Sequence, residues 1–263
     1  MSRYLKPLLH LLQLPKGRSK PQLIRFNNGN EYVVKFKNNK SGTRVLVNEY
    51  VAGKLALLLS LPVVPFRLVY IAKKFINENP TLIEHNFQSG YQLASLYIKD
   101  SSVLKVFLPL DQLYEIKISN RDKLAGVIAF DYWIGNYDRN RSNVLLKLLP
   151  NGEYHCFMID HGHVFGKSSW TIESLKETIP NMATSWRKVH SRFFSMLQGE
   201  EEIAAYIDKI MKVPDQTIHQ IVRSIPRDWE VCDQEKEALA EYLIQSKKRL
   251  PSLSLPPDET LTH

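Results

Sequence analysis

The sequence predicts an α+β chain in which a small strand-rich lobe precedes a larger, mainly helical lobe. Runs of β-branched and aromatic residues occur in residues 1–100, whereas helical periodicity dominates after residue 119. Strands and helices segregated in this way are typical of α+β proteins. The length of 263 residues fits one large domain or two small lobes, and 44% apolar with 24% charged residues is ordinary globular usage. This composition excludes a disordered, collagen-like or coiled-coil chain.

The first lobe is expected over residues 1–100. Its predicted elements are strands over 21–27, 31–37, 63–71 and 91–98, and a helix over 42–59. The Asn-Asn-Gly-Asn sequence at 27–30 predicts a hairpin between the first two strands, because Asn and Gly tolerate positive φ. Pro62 and Pro65 end the helix and open the next strand.

The second lobe is expected over residues 101–250. A helix capped by Ser119 or Asn120 should run to Gly135, followed by a polar loop over 135–143. The remaining predicted elements are short strands over 143–148 and 154–159, and helices over 171–178, 186–211, 214–224 and 233–249. The proline-rich end, 251–263, is predicted to be a frayed tail.

The charge of the chain is uneven. The formal net charge is +8, while residues 1–54 carry +9 and residues 200–263 carry −5. A basic end indicates a phosphate-bearing ligand, nucleic acid or simply a solvated basic face. Nucleic acid is the weaker alternative, because the sequence contains neither zinc-finger spacing nor an aromatic RNA-binding signature.

The cysteines and apolar stretches bear on the compartment. Two cysteines, Cys156 and Cys232, exclude a disulfide scaffold and an all-cysteine zinc site, and they fit a reducing compartment. The longest apolar stretch, 55–65, is far shorter than the ~20 residues that span a membrane. We therefore expect a cytoplasmic protein without a membrane span; a signal peptide at the N-terminus is the weaker alternative.

Three polar residues have the spacing of a phosphoryl-transfer site. Asp138 and Asn143 lie five residues apart, and Asp160 follows an apolar strand seventeen residues later. In this hypothesis Asp138 orients a hydroxyl and accepts its proton, while Asn143 and Asp160 hold Mg²⁺ on nucleotide phosphates. The alternative is that Asp138 only caps a turn. A zinc site at His155, His161 and His163 lacks convincing ligand spacing.

The first lobe supplies candidates for phosphate binding. Lys35 lies in a strand and Glu49 lies fourteen residues later in the next helix, as in a kinase lysine–glutamate pair. Lys37 competes with Lys35, but its place at the strand end predicts a solvated side chain. Gly17 and Ser19 lie in a short basic loop that could present backbone N–H groups to phosphate, or be an ordinary turn.

Four stretches of the sequence resemble the HipA-like kinases, especially their short stand-alone bacterial members. They are KGRSKPQLIRFNNGNEYVVKFK, LVNEYVAGKLA, FDYWIGNYDRNRSNVLL and FMIDHGHVFG, within residues 15–170. The GN-x-D-R-x₃-N loop is also similar to that of type II phosphatidylinositol 4-kinases. The family loop often has His where this chain has Asn140.

This resemblance implies a two-lobed protein-kinase-like fold with ATP bound in the cleft by the first lobe and catalysis in the second. It implies Asp138 as the base, Asn143 and Asp160 as metal ligands, and Glu49 as the partner of the phosphate-binding Lys35. It also implies that Ser19, in the position of a serine that is autophosphorylated in HipA toxins, could act as a switch. A protein substrate, in some members linked to translation, and an antitoxin-like partner would follow from it.

The sequence therefore predicts a Ser/Thr protein kinase that uses ATP and Mg²⁺. Three alternatives stay open: a nucleotide-binding pseudokinase or interaction module, a lipid or small-molecule kinase, and a nucleic-acid-binding protein.

Overall fold

The computed structural model describes residues 4–15, 17–107, 115–166, 168–177 and 188–252. Its strands are β1 Pro7–Gln13, β2 Gln22–Phe26, β3 Glu31–Lys35, β4 Phe66–Ile71, β5 Gly90–Leu96, β6 Ser101–Val103, β7 Val144–Leu148 and β8 Tyr154–Met158. Its helices are α1 Thr43–Leu58, α2 Lys73–Asn77, α3 Pro80–Glu84, α4 Leu104–Phe107, α5 Leu124–Trp133, α6 Ile172–Glu177, α7 Lys188–Phe194, α8 Glu201–Met211, α9 Asp215–Arg223 and α10 Asp233–Arg249. Short 3₁₀ turns cover Arg121–Lys123, Arg141–Asn143, Arg227–Trp229 and Leu250–Ser252.

The first lobe is a five-stranded antiparallel sheet with α1 inserted between β3 and β4. The strand order is β1-β2-β3-β5-β4, so β3 lies at the centre and carries Lys35 at its end. The predicted hairpin at 27–30 is confirmed, with Gly29 at φ +80° and the Phe26 N–H donating to the Asn30 carbonyl at 3.0 Å. The predicted helix and strands of this lobe are confirmed as α1, β2, β3, β4 and β5, with shifted ends.

Helix α5 is the centre of the second lobe. All ten of its residues are buried, and α7, α8 and α10 pack around it. The three-stranded sheet β6-β7-β8 lies beside this helical core and carries the predicted pair of short strands. Burying a whole helix requires every polar group on it to find a partner, and Asp131 is the one acidic residue that α5 contains.

Two local predictions for the second lobe are wrong. Asn120 does not cap α5 with its side chain, because its amide instead bonds the backbone N–H and carbonyl of Cys156 on β8 at 3.0 and 2.9 Å. The helix predicted over 186–211 is two helices, α7 and α8; residues 186 and 187 lie outside the described residues. Gly199 disfavours a continuous helix, and Glu202 accepts a bond from the Gln198 N–H at the start of α8.

Several short elements were not predicted: β1, β6, α2, α3 and α4. Strand β1 has Pro7 and two register shifts, so it lacks the regular alternation that identifies a strand. Residue 178 of the predicted helix 171–178 and residues 253–263 of the predicted tail lie outside the described residues. In the described part of the chain, no helix has the length and apolar character to cross a membrane.

Candidate functional site

Asp138 lies in the loop that links α5 to β7. The Nδ2 of Asn143 donates to the Asp138 carbonyl at 2.8 Å and to its Oδ2 at 3.2 Å. Asn140 donates to the same carbonyl at 2.9 Å and to Asp138 Oδ1 at 3.3 Å. Both carboxylate oxygens are thus held by amide donors from the five residues that follow, which fixes the orientation of Asp138.

Arg139 binds the Asp138 loop to helix α5 and to the end of strand β8. Its fully buried guanidinium contacts Asp131 through Nε–Oδ2 at 2.8 Å and Nη2–Oδ1 at 3.0 Å. The same group donates to the carbonyl of Asn143 at 2.8 Å and to that of Ile159 at 3.2 Å. Arg139 therefore ties helix α5, the Asp138 loop and the end of β8 together.

Asp131 stays charged despite its burial. Loss of water would raise the pKa of this carboxyl, but the Arg139 guanidinium and a hydrogen bond from His190 outweigh that effect and hold the pKa of Asp131 below its usual range. Breaking such a buried pair by removing one partner typically costs about 3–5 kcal/mol, because the other charge is left uncompensated.

Asp160 follows β8 with a left-handed backbone, at φ +57°. Its side chain is 46% exposed, and its Oδ1 lies 3.3 Å from the Nζ of Lys35 in the other lobe. The Lys35 ammonium holds the pKa of the Asp160 carboxyl below its ordinary value. The next residue, His161, is buried, and burial together with the facing Arg139 lowers the pKa of His161 to about 3. His161 is therefore a neutral packing residue.

Lys35 and Glu49 form the predicted pair, with Nζ and Oε1 2.5 Å apart. Burial disfavours the Lys35 ammonium, but the carboxylates of Asp160 and Glu49 outweigh this and raise the pKa of Lys35. Burial also raises the pKa of Glu49 to about 7, although the Lys35 ammonium acts to lower it. Lys35 is shared with the Asp160 carboxylate, and the Glu49 side chain is the more deeply buried of the two acids.

Lys37 is not solvated, contrary to the sequence prediction. Its Nζ lies 3.2 Å from Asp228 Oδ2, and its side chain is only 15% exposed. The Asp228 carboxylate comes from the 3₁₀ turn before α10, which no sequence pattern placed beside β3. Lys37 therefore connects the lobes, and among the contacts of the described residues Lys35, not Lys37, reaches Asp160.

Gly17 and Ser19 lie in the turn between β1 and β2. Gly17 has φ +106°, which favours glycine, and its carbonyl accepts the Lys20 N–H at 3.1 Å. Ser19 is buried, at 6% exposure. In the part of the chain that the structure describes, no hydrogen bond joins this turn to Lys35 or Asp160; Lys16 lies outside that part.

The zinc alternative gains no support. Within residues 4–15, 17–107, 115–166, 168–177 and 188–252, no group of three His, Cys, Asp or Glu side chains could hold a metal ion. His155 lies against Ser119, with Nδ1 and Oγ 3.2 Å apart.

Asn48 and Arg139 are the site residues that sequence reasoning missed. Asn48 is fully buried on α1 and bonds the loop after Asp160. The sequence shows that Asn48 precedes Glu49 and that Arg139 follows Asp138. It does not show that these polar side chains are buried, because burial depends on the tertiary structure.

Comparisons with known proteins bear on the family and the fold of the chain. A family model described as HipA-like kinase matches residues 11–252. The Helicobacter pylori proinflammatory kinase CtkA superposes with a TM-score of 0.61 at 17% identity, over 96% of this chain and 97% of that one. A Golgi casein kinase with Mn and ADP bound has a TM-score of 0.51 at 11% identity, over 94% and 73%.

A further structure of the Golgi casein kinase has a TM-score of 0.54 at 11% identity, over 95% of this chain and 72% of that one. No curated protein sequence matches the chain. At these identities the structural likeness concerns the fold, and it confirms the two-lobed kinase-like architecture with a small β-rich lobe and a larger helical lobe.

Proposed function

The chain belongs to the HipA-like kinase family, and from this premise we propose that it transfers the γ-phosphate of ATP, with Mg²⁺, to a Ser or Thr hydroxyl of a protein. In this proposal residues 1–100 form the nucleotide-binding lobe and residues 101–250 the catalytic lobe. The substrate is a protein, of which translation-related proteins are one class to test. An antitoxin-like partner is a further part of the proposal.

The observation that carries the proposal is the convergence of the two lobes on one point. The Lys35 ammonium, held by Glu49 at 2.5 Å, lies 3.3 Å from the carboxylate of Asp160. The Asp138 loop is bound to the end of the same β8 strand through Arg139. In this proposal Lys35 binds phosphate, Asp160 binds the metal and Asp138 is the base, and these are the groups that phosphoryl transfer requires.

Mg²⁺ fits the oxygen donors of Asn143 and Asp160. Asn143 uses its Nδ2 to bind Asp138, and no described residue donates to its Oδ1. The half-exposed Asp160 adds a carboxylate, and such hard oxygen ligands, completed by phosphate oxygens and water, are those Mg²⁺ prefers. When bound there, Mg²⁺ would neutralise negative charge on the phosphates.

The reaction assigned to Asp138 is proton acceptance. As the substrate hydroxyl oxygen bonds to the γ-phosphorus, the Asp138 carboxylate takes the hydroxyl proton, and the bond from the γ-phosphorus to the bridging oxygen of ADP breaks. Asn143 and Asn140 keep the carboxylate oriented during this step. Lys35 supplies positive charge to the phosphates, with Glu49 holding it in place.

The test is transfer of labelled γ-phosphate from ATP, with and without Mg²⁺, to lysate protein, lipid vesicles and a metabolite panel. We expect Asp138→Asn to lower the rate by about 10²–10⁴-fold, the usual contribution of a general base. Nucleotide affinity should be unchanged in that variant, because the base acts on the acceptor. Asp208→Asn, on the exposed side of α8, is the matched control.

Two of the alternatives have their own outcomes in this assay. A pseudokinase would bind nucleotide without transfer to any acceptor. A lipid or small-molecule kinase would label vesicles or metabolites and leave protein unlabelled. If Asp138→Asn keeps more than about a tenth of the wild-type rate, the base assignment is wrong. A loss of less than about tenfold is smaller than the least effect usually seen on removing a general base.

A further inference from the structure

One face of helix α1 packs against the loop that carries Asp160. Val45, Asn48 and Glu49 are spaced i, i+3 and i+4, so they lie on the same side of the helix. Of these, Glu49 binds Lys35, Val45 lies against Gly162, and Asn48 bonds Gly162 and Trp170. The helix that positions the lysine is therefore in direct contact with the loop of the metal ligand.

Asn48 makes the polar part of this contact. Its Nδ2 donates to the Gly162 carbonyl at 2.8 Å, and its Oδ1 accepts from the Trp170 indole N–H at 2.7 Å. The side chain is 0% exposed. A buried amide with both ends bonded has one orientation, because rotating it would leave a donor and an acceptor without partners.

The backbone at Gly162 shows how closely the loop approaches α1. A Cβ added to Gly162 would lie 2.7 Å from Val45 Cγ1 and 3.4 Å from Glu49 Oε1. No side chain fits between the loop and the helix at this point. A translation of α1 along its axis, or a rotation about that axis, would consequently move the loop. A movement of the loop would likewise move α1.

The far end of the same loop is also bound to α1. The Arg44 guanidinium lies 4.7 Å above the Trp170 ring, and it also forms an ion pair with Glu235 on α10. Arg44 is one turn before Asn48, so Trp170 is held by two successive turns of the helix. Asn48 is the only one of these α1 side chains that bonds both Gly162 and Trp170 in the described residues.

We propose that Asn48 is a positioning residue that sets Glu49 and Asp160 in register by binding the loop on both sides, at Gly162 and at Trp170. The inference rests on the proposed function, because it concerns the Mg²⁺ and phosphate groups that those residues would hold. Asn48 touches neither of them and acts through the loop.

The experiment compares Asn48→Ala with Asn120→Ala in the full chain. Asn120 is a matched control, because it is also a buried Asn whose amide makes two backbone bonds, but it binds Cys156 rather than α1 or the loop. In Asn48→Ala we expect the Mg²⁺ concentration for half-maximal transfer to rise about 10–100-fold, the usual effect of removing support from a metal ligand. In Asn120→Ala it should change by less than about 2-fold.

A second readout is independent of transfer. The chain has four tryptophans, and Trp170→Phe assigns the Trp170 indole N–H signal in an NMR spectrum. In Asn48→Ala this signal should shift and exchange faster with solvent, because its acceptor is gone. Thermal-shift assays measure Mg²⁺-dependent binding of ADP without any phosphate transfer. This binding should be weaker in Asn48→Ala than in the wild type.

The outcomes separate the two proposals. Absence of transfer in the wild-type protein together with Mg²⁺–ADP binding that depends on Asn48 would overturn the proposed function and keep this inference. An unchanged Mg²⁺ requirement in Asn48→Ala would overturn the inference, as would a rise equal to that of Asn120→Ala. If Asn48→Ala fails to fold, Trp170→Phe removes the bond between Asn48 and the indole N–H and keeps an aromatic ring at this position. An unchanged Mg²⁺ requirement in Trp170→Phe would then overturn the inference.

Discussion

Asp160 shows at the residue scale how the site combines strain with charge. Its left-handed φ of +57° is unfavourable for a residue with a Cβ, and such conformations typically cost about 1–3 kcal/mol. The surrounding contacts must offset that cost, and Arg139 supplies one of them by binding the carbonyl of the preceding residue, Ile159. From this backbone position the Asp160 carboxylate contacts Lys35, with Oδ1 3.3 Å from Nζ.

Asp160→Asn should weaken binding of the Mg²⁺–nucleotide complex. Removing the negative charge takes away the carboxylate ligand, and we expect a loss of about tenfold or more in affinity, equal to ~1.4 kcal/mol. Calorimetric titration with ADP and Mg²⁺ measures it, with ADP alone as the control. Equal affinities for the variant and the wild type would show that Asp160 is not a metal ligand.

Ser19 gives a second prediction at this scale. Its 6% exposure leaves no room for a phosphate unless the Gly17 turn opens, and a phosphate there would repel those of ATP. After incubation with ATP and Mg²⁺, we expect a phosphate at Ser19 by mass spectrometry. Ser19→Asp should bind ATP about tenfold more weakly, or ~1.4 kcal/mol.

Ser19→Ala and Ser41→Asp serve as controls, the latter because Ser41 lies in the turn before α1 and not in the Gly17 turn. Both variants should bind ATP as the wild type does. An unmodified Ser19, combined with normal ATP affinity in Ser19→Asp, would reject the switch and leave the kinase assignment intact.

At the scale of elements, an ion pair between Lys35 and Glu49 joins strand β3 to helix α1. Lys35 is the last residue of β3, and Glu49 lies on the second turn of α1, with side chains 17% and 9% exposed. Since both groups are largely removed from water, the pair depends on good geometry, which β3 and α1 supply from different parts of the lobe. The position of α1 therefore decides where the lysine lies.

A double-mutant cycle tests this pair. We expect Lys35→Met and Glu49→Gln each to reduce transfer, and the double variant to cost less than the sum, with a coupling energy of about 0.5–3 kcal/mol. The rates at saturating ATP and Mg²⁺ provide the measurement. Additivity to within about 0.5 kcal/mol would mean that the two side chains do not interact.

The whole molecule is held together by contacts between the lobes as well as by the chain that joins them. Asp228 Oδ2 accepts from the Lys37 ammonium at 3.2 Å and from the Tyr91 backbone N–H at 2.9 Å. The Trp229 indole N–H donates to the Tyr91 carbonyl at 2.8 Å, and Tyr50 bonds Ser224 at 2.9 Å. The segment before α10 thus binds the start of β5, while the end of β5 leads into the second lobe.

Asp228→Ala should destabilise the protein. Removing the carboxylate takes the acceptor from the Tyr91 N–H and the ion pair from Lys37, whose ammonium keeps only its bond to the Asp228 carbonyl. We expect the free energy of unfolding to fall by about 1.5–3 kcal/mol, as for other hydrogen bonds to charged groups. Urea denaturation followed by circular dichroism measures the change. Asp208→Ala, on the exposed side of α8, is the control; a value for Asp228→Ala within about 0.5 kcal/mol of wild type would contradict the prediction.

The sequence determined the local elements and the candidate chemistry. Hydrophobic period and turn residues located the hairpin at 27–30, helix α1 and the strands β7 and β8, because these depend on neighbours a few residues away. The spacing of Asp138, Asn143 and Asp160, and that of Lys35 and Glu49, was readable for the same reason. The structure brings Lys35, Glu49 and Asp160 into contact, and Asp138 into contact with Asn143.

Only the tertiary structure decided which polar groups are buried and what they bind. Lys37 looked solvated from its strand position, yet it pairs with Asp228, 191 residues later. Asn48 looked like an ordinary helix residue, and its partners Gly162 and Trp170 lie 114 and 122 residues away. Such contacts leave no local period in the sequence, because they are fixed when the lobes pack and exclude water from groups that must then be paired.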